Sequence, residues 1–278
     1  MVLKGFLKAS AVAWLAINLA GCCCGTLSDF EPASGGGPPL EEPEDPLTPG
    51  EAGDDDTLSE RGNREVSSFR RAKTHVDEIY AGQEVTFYCG CEYAKDTVQL
   101  STCGYKPRKN SKRAKRLEIE HIVPAQVFGE STRAWREGNP ECLDSKKAPY
   151  EGRRCAEKMS AAFRYMEADL YNLRPAIGEV NGDRSNYPPT IIEGEAREYG
   201  QCDVEIADQQ FEPPPHVRGD IARTYFYMDW AYPNRGILTA ESRAMFEQWD
   251  KEDPADDAER AWAAKVAQVQ GNKNPFIK

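Results

Sequence analysis

From Phe69 to Tyr80 the apolar positions Phe69, Ala72, Val76, Ile79 and Tyr80 recur at helical spacing, which predicts an amphipathic helix. Residues 156–170 place Met159, Phe163, Met166 and Leu170 along one stripe, predicting a second helix with one buried side. Pro175 opposes its continuation and leaves Asn172 at or just beyond its C-terminal end. The aromatic stretch from Thr86 to Cys91, flanked by Gly82 and Gly90, reads as a short strand. Residues 117–123 are short, partly β-branched and stopped by Pro124, and read as another. With period two, Leu117, Ile119, His121 and Val123 share one face while Glu118 and Glu120 share the other. A site using both Glu120 and His121 therefore needs the chain to bend near Pro124. Segment 178–186, with its Asn-Gly pair, reads as a turn-rich loop. Further helices are predicted at 219–229, 239–250 and about 257–269, where Ala261, Trp262, Val266 and Val269 form a packed side.

Upstream of Val66 the pattern changes. Lys4 and Lys8 precede an apolar run from Ala9 to Ala20 that is too short to span a bilayer, so residues 1–21 read as an export signal. The run ends Leu19-Ala20-Gly21-Cys22, which resembles a bacterial lipobox and makes Cys22 a candidate for lipidation and membrane anchorage. A small-residue cleavage site followed by a cysteine cluster reads the same way. Residues 22–65 are rich in Pro, Gly and acid and have little apolar mass to offset ordering entropy, so a disordered tether is expected, with the folded domain at 66–278.

Charge sharpens this division. The net charge of -11 suits a polyanion-binding protein poorly, but residues 26–62 carry eleven acids against the single Arg61. The remainder is close to neutral. Its concentrated positive charge is the run Lys106, Arg108, Lys109, Lys112, Arg113, Lys115 and Arg116, with no acid among them, a candidate nucleic-acid contact or else a solvated face.

Export makes the cysteines legible. Setting aside Cys22, Cys23 and Cys24 leaves Cys89, Cys91, Cys103, Cys142, Cys155 and Cys202, an even number suited to three disulfides in an oxidising compartment. A zinc site using Cys89, Cys91 and Cys103 competes with that reading, although the spacing is not that of a zinc finger.

Immediately after the basic run comes Glu120-His121. A histidine can take a proton from water near neutral pH, and Mg²⁺ on hard oxygen ligands can offset phosphoryl charge. Alone, such a pair is more often packed core than chemistry, and an asparagine such as Asn172 is more often a cap.

Three segments change that balance: Glu118-Ile-Glu-His-Ile-Val-Pro-Ala-Gln-Val-Phe-Gly129, Met166-Glu-Ala-Asp-Leu-Tyr-Asn-Leu-Arg-Pro-Ala-Ile-Gly178 and Gly178-Glu-Val-Asn-Gly-Asp-Arg-Ser-Asn186. Together with Phe87-Tyr-Cys-Gly-Cys91, Arg218-Gly-Asp-Ile-Ala-Arg-Thr-Tyr-Phe-Tyr-Met228 and Gln270-Gly-Asn-Lys-Asn-Pro-Phe276, they resemble, in order, the signature segments of the bacterial endonuclease I family. The resemblance spans about residues 69–277 and implies an α+β fold: a mixed α/β nuclease domain containing a ββα-metal (His-metal) finger. It implies His121 as general base, with Glu120 and Asn172 holding Mg²⁺ (Mn²⁺ as a substitute). It further implies cleavage of DNA and RNA with little sequence preference, leaving 5′-phosphates. Such an enzyme reads backbone rather than bases and calls for no nucleotide cofactor. Its location would be periplasmic, outer-membrane-anchored or extracellular. Arg184 and Arg218 are candidate phosphate forks, with carboxylate pairing as the competing role, and Arg223 reads as structural.

Three departures bear on activity. An arginine that the family carries before the cysteine matching Cys142 is missing from Gly138-Asn-Pro-Glu-Cys142, so that Arg136 or Arg154 would have to substitute. Tyr171 stands where a histidine usually precedes the metal-ligand asparagine, and Ala134 replaces a cysteine. The first two leave open an alternative, a surface nucleic-acid-binding protein of the same fold with weakened or lost catalysis. At the other end of the chain, mass spectrometry of the mature protein checks Cys22: a diacylglyceryl mass on an N-terminal cysteine is expected, and an unmodified chain starting beyond Cys24 would exclude it.

Overall fold

The computed structural model describes residues 56–194 and 197–278. The export signal, Cys22 and most of the acidic tether lie outside the described residues. The first helix, α1 (Phe69–Tyr80), begins at Ser68, whose hydroxyl accepts the Arg71 N–H, and it buries Ala72, Val76 and Ile79 as its spacing predicts. Residues 56–65, expected to belong to the tether, instead pack onto the domain. Asn63 is buried, donating from its side chain to Val66 O (2.7 Å) and Tyr165 O (2.9 Å), while its backbone N–H donates to the Tyr232 hydroxyl (2.8 Å). Asp56, accepting the Ser160 hydroxyl (2.6 Å), and Asn272, donating to Arg61 O (2.8 Å), add further polar ties to this segment of low apolar content.

The segment Thr86–Cys91 is a turn rather than a strand. Gly90 adopts φ +64°, the Gly90 and Cys91 N–H groups return to the Thr86 carbonyl and hydroxyl, and disulfides Cys89–Cys202 and Cys91–Cys103 pin the turn from both sides. These bridges, with Cys142–Cys155, use all six domain cysteines and leave no thiolate for zinc. A small ribbon, β1 (Tyr93–Ala94) with β2 (Thr97–Val98), follows.

The centre of the domain is the antiparallel pair β3 (Leu117–His121) and β4 (Leu173–Ile177), in register Glu120↔Arg174 and His121↔Leu173. Before β3, the basic run carries only the short helix α2 (Ser111–Ala114). Between the strands lie α3 (Ala125–Gly129), α4 (Arg133–Glu137), α5 (Arg153–Met159) and α6 (Ala161–Glu167). The single helix expected over 156–170 is broken at Ser160, whose extended backbone ends α5 and whose hydroxyl caps α6 by accepting the Phe163 N–H (3.0 Å). Asp169 then caps a 3-10 turn over Leu170–Asn172. Its buried carboxylate gathers the hydroxyls of Tyr227 and Tyr232 and the Gln270 amide, joining that turn to the C-terminal helices.

Directly after β4 comes α7 (Gly178–Arg184), where the Asn-Gly pair predicted a loop. Tertiary contacts override the turn propensity. Glu179 is buried and accepts the backbone N–H groups of Arg108, Lys109 and Asn110 and the Tyr105 hydroxyl, so this helix anchors the basic run. β3, β4 and α7 together form a ββα finger. A ribbon of β5 (Glu205–Ala207) and β6 (Gln210–Glu212) precedes α8 (Arg218–Ala231), α9 (Ala240–Glu252) and α10 (Asp257–Gln270), which match the predicted C-terminal helices within a few residues and supply much of the core.

Glu179 generates a pH-dependent stability. Burial pushes its carboxyl upward, but the donors from Asn110, Lys109, Tyr105 and Arg108 outweigh that and hold it below its ordinary value. A carboxyl lowered by folding stabilises fully above its unfolded pKa and loses that contribution as pH falls through its folded pKa. Glu179→Gln should therefore cost about 1–3 kcal/mol at neutral pH. In urea denaturation its stability curve should approach the wild type's in acid. A deficit that stays constant with pH would show that the charge of Glu179 does not act this way.

Candidate active site

An open cleft of about 900 Å³ lies over the finger. Glu118, Glu120 and His121 of β3, Asn181 of α7, Arg153 of α5 and Phe69 of α1 line it, with Arg70, Lys73, Arg113 and Arg116 around them. Both Glu120 and His121 reach it, because β3 ends at His121 and the chain turns there. Beyond that point Ile122 N–H bonds to Asn172 O (3.0 Å), and the Asn172 side chain pairs with Val123 as a strand neighbour would. Its Oδ1 accepts the Val123 N–H (2.7 Å) and its Nδ2 donates to Val123 O (3.0 Å). Asn172 is thus wholly buried, with both ends of its amide committed, and does not line the cleft. The structure separates it from the ligand position expected from the sequence and makes it the tie that holds the turn.

His121 is buried, and its Nε2 lies 2.8 Å from Glu167 O. A carbonyl only accepts, so Nε2 carries the hydrogen and Nδ1 keeps a lone pair. Phe69 packs against the imidazole with ring centroids 4.7 Å apart. Burial first, and then the positive charge of Arg153 and Arg184, push the His121 pKa down to about 3 against the opposing backbone hydrogen bond. The ring is a neutral acceptor throughout the physiological range.

Glu120 accepts from Arg184 Nη1 (2.8 Å) and the Tyr88 hydroxyl (3.1 Å), and both bonds fall on Oε1. Burial pushes its carboxyl up, opposed by the Arg184 charge and these hydrogen bonds. Arg184, expected as a phosphate fork, is buried and turned inward. Besides Glu120 it donates to the carbonyls of His121 (2.8 Å), Ile122 (2.7 Å) and Tyr187 (3.2 Å), which leaves it a strut beneath the site. Arg218 likewise pairs with Glu212 (2.6 Å) and Pro213 O (3.1 Å) and lies away from the cleft lining. Arg223 is buried among Glu259, Asp250 and Asp220, the structural role its position suggested.

Neither candidate for the cation missing near Asn139 lines the cleft. Arg136 is exposed and donates to Glu130 O, and Arg154 lies over the Tyr150 ring. Arg153 enters the cleft, bonded through Nε to Glu167 Oε1 (2.5 Å), its guanidinium 5.2 Å from the Phe69 ring centre. The arginine pair just before Cys155 carries the sequence signal, but its cleft member is Arg153 rather than the expected Arg154. Tyr171 points its hydroxyl to Ala263 O (3.3 Å) and Asn272 O (3.1 Å), into the C-terminal helix rather than the cleft. Tyr171 therefore takes no part in the cleft lining.

The basic run divides. Arg108 turns to Asp183 and Glu198, and Arg113 forks onto Glu118 (3.1 and 2.9 Å) with Arg116 nearby (3.5 Å). Lys106, Lys109, Lys112 and Lys115 are exposed, while Arg113 and Arg116 are the members of the run that reach the cleft. Arg70 and Lys73 of α1 add positive charge to the lining, alongside Asp77 of the same helix, which the helical reading of 69–80 did not anticipate. Asn181, also missed because 178–186 read as a loop, brings its side-chain amide against the Glu118 carboxylate (2.9 Å) at the cleft lining. Among the described residues no cluster of three or more acidic, histidine or cysteine side chains gathers for a metal. Glu120 and Asn181 nevertheless provide hard oxygen donors at the lining of an open cleft, which fits Mg²⁺, an ion that keeps several waters and needs one or two protein oxygens.

Residues 69–278 match the family model described as Endonuclease I. The chain is 43% identical to an extracellular deoxyribonuclease of Aeromonas hydrophila over 219 residues, covering 76% of this chain and 89% of that one. It is 42% identical to a periplasmic deoxyribonuclease of the same species, covering 77% and 86% of the respective chains. An extracellular ribonuclease of Bacillus subtilis (strain 168) is 32% identical over 126 residues, 39% of this chain and 43% of that one. The ββα finger, the exported relatives and a match across nearly the whole described domain together establish that the chain belongs to the endonuclease I family.

Proposed function

We infer that this exported protein is an endonuclease that hydrolyses phosphodiester bonds of DNA without sequence preference, and that RNA is cut in the same cleft. The observation that carries the reading is the neutral His121 imidazole, with Nε2 tied to Glu167 O and Nδ1 left as acceptor, beside the Glu120 carboxylate in a cation-lined cleft. His121 Nδ1 takes the proton from an attacking water, and the P–O3′ bond breaks to leave a 5′-phosphate. Glu167 O fixes the ring and its tautomer through this step. Arg153 is placed to stabilise charge on the phosphoryl oxygens. Glu120, through Oε2, and Asn181, through Oδ1, would hold Mg²⁺, with Mn²⁺ able to replace it. When bound, that ion supplies Lewis acidity and an acidic water for the leaving group. RNA is included because the contacts available are to backbone charge and because one relative is named a ribonuclease.

Plasmid nicking by the purified protein tests each role. His121→Ala should lower kcat about 100- to 10,000-fold while DNA retention in EDTA persists. Undiminished cleavage would remove His121 as the base. Arg153→Ala should lower kcat about 100- to 1,000-fold. Asn181→Ala should raise the Mg²⁺ concentration needed for half-maximal rate, whereas Asn172→Ala should lower the melting temperature and leave that concentration unchanged. The reverse pattern for the two asparagines would restore Asn172 as the ligand.

A further inference from the structure

Glu118 stands two residues before Glu120 in β3 and so shares its face of the strand. It lines the same cleft, yet proton transfer does not use it. Its oxygens are fully engaged. Oε2 accepts from Asn181 Nδ2 (2.9 Å) and from Arg113 Nη2 (2.9 Å), Oε1 accepts from Arg113 Nε (3.1 Å), and Arg116 lies 3.5 Å from Oε1. A carboxylate held in an arginine fork is neutralised and oriented.

We propose that Glu118 is a positioning residue that decides which end of the Asn181 amide meets the bound cation. The inference rests on the reading of Asn181 as a metal ligand. A primary amide has one donor end and one acceptor end of nearly equal size, and a short polar side chain at a wet cleft can present either. A cation needs the oxygen and is repelled by the NH₂ group. An ionised carboxylate only accepts, so it takes the NH₂ end and leaves Oδ1 directed away from itself.

Two glycines provide the space this arrangement requires. A Cβ on Gly182 would collide with the Arg113 guanidinium, and one on Gly178 would lie 2.8 Å from Arg113 O and 2.9 Å from Glu118 Oε1. The Asn181-Gly182 pair thus has a structural logic different from a turn. The glycine seats Arg113, Arg113 holds Glu118, and Glu118 holds the amide of Asn181.

Calorimetric titration of Mn²⁺ alone into the full chain, without DNA, tests the assignment. Glu118→Ala should raise the Mn²⁺ Kd about 10- to 100-fold, the usual effect of losing a partner that orients a ligand. Glu118→Gln, whose carbonyl can still accept the Asn181 NH₂, should recover most of that loss and keeps the fold testable if the alanine variant is unstable. The decisive comparison uses Asn181→Asp, in which residue 181 has two acceptor oxygens and no donor end. In that background Glu118→Ala should carry no penalty. A penalty of equal size there, or a Glu118→Gln variant as weak as Glu118→Ala, would mean that Glu118 acts as a ligand or a general structural support, and would overturn the proposal. Unchanged Mn²⁺ affinity in Glu118→Ala would overturn it as well. Failure of the underlying site looks different: Glu120→Ala and Asn181→Ala would then bind Mn²⁺ like the wild type.

Discussion

The arrangement depends on a buried guanidinium. Arg184 reaches from the end of α7 beneath β3, pairs with Glu120 at 2.8 Å and donates to the carbonyls of His121 and Ile122, the points where the strand ends and the chain turns. A buried ion pair is not by itself a source of stability, because both charges must leave water. Removing one partner is another matter, costing about 3–5 kcal/mol by stranding the other. The pair therefore acts as a constraint: Glu120 must stay where Arg184 can reach it, and β3 must end where its carbonyls face that guanidinium. Tyr88 adds a third contact to the same carboxylate oxygen, from a turn that two disulfides immobilise. The Glu120 carboxylate is held from the helix, the strand and the turn together, as a preorganised site requires.

What could be read in advance follows the range of the forces involved. The helices at 69–80 and 218–270 are amphipathic or apolar over many residues, so local periodicity suffices, and β3 is short but bounded by Pro124. Two of the three errors come from contacts distant in the sequence. Segment 178–186 has turn residues by composition, yet Glu179, Asn181 and Gly182 are each explained by a partner about 60–70 residues upstream in the chain: the backbone of 108–110, Glu118 and Arg113. The helix predicted over 156–170 failed at Ser160, whose hydroxyl makes a better cap than a helical residue. Thr86–Cys91 has strand composition, but its two disulfide partners require a tight turn.

The two asparagines carry the same lesson into the active site. Asn172 and Asn181 are both short amides close to β4, one just before it and one just after. Family resemblance drew attention to the first. Burial distinguishes them: an amide whose two ends both meet the backbone of Val123 completes a fold, whereas one that borders an open cleft with a single anchoring carboxylate remains available to a ligand. The arginines sort by the same rule. Arg184 and Arg218 direct their donors to internal acceptors, whereas Arg153, whose Nε meets Glu167 (2.5 Å) and lies 3.6 Å from Glu157, lines the cleft.

Electrostatics then reconciles an acidic chain with a polyanionic substrate. Much of the negative charge is in the N-terminal tail by sequence position, whereas the cleft lining sets Arg70, Lys73, Arg113, Arg116 and Arg153 beside Asp77, Asp96, Glu118 and Glu120, of which Glu118 is held by Arg113 and Glu120 by Arg184. Contacts of this kind attract any phosphodiester backbone and carry no base code. The same positive field acts on His121. Arg153 and Arg184 disfavour the imidazolium, adding to desolvation, so the ring remains an acceptor. A carboxylate facing His121 Nε2 would have pulled the other way, raising its pKa. The structure instead presents the neutral Glu167 carbonyl there and ties the nearby Glu167 carboxylate to Arg153. Attraction of a phosphate backbone and an unprotonated His121 thus draw on the same arginines, with burial adding the larger part for the imidazole.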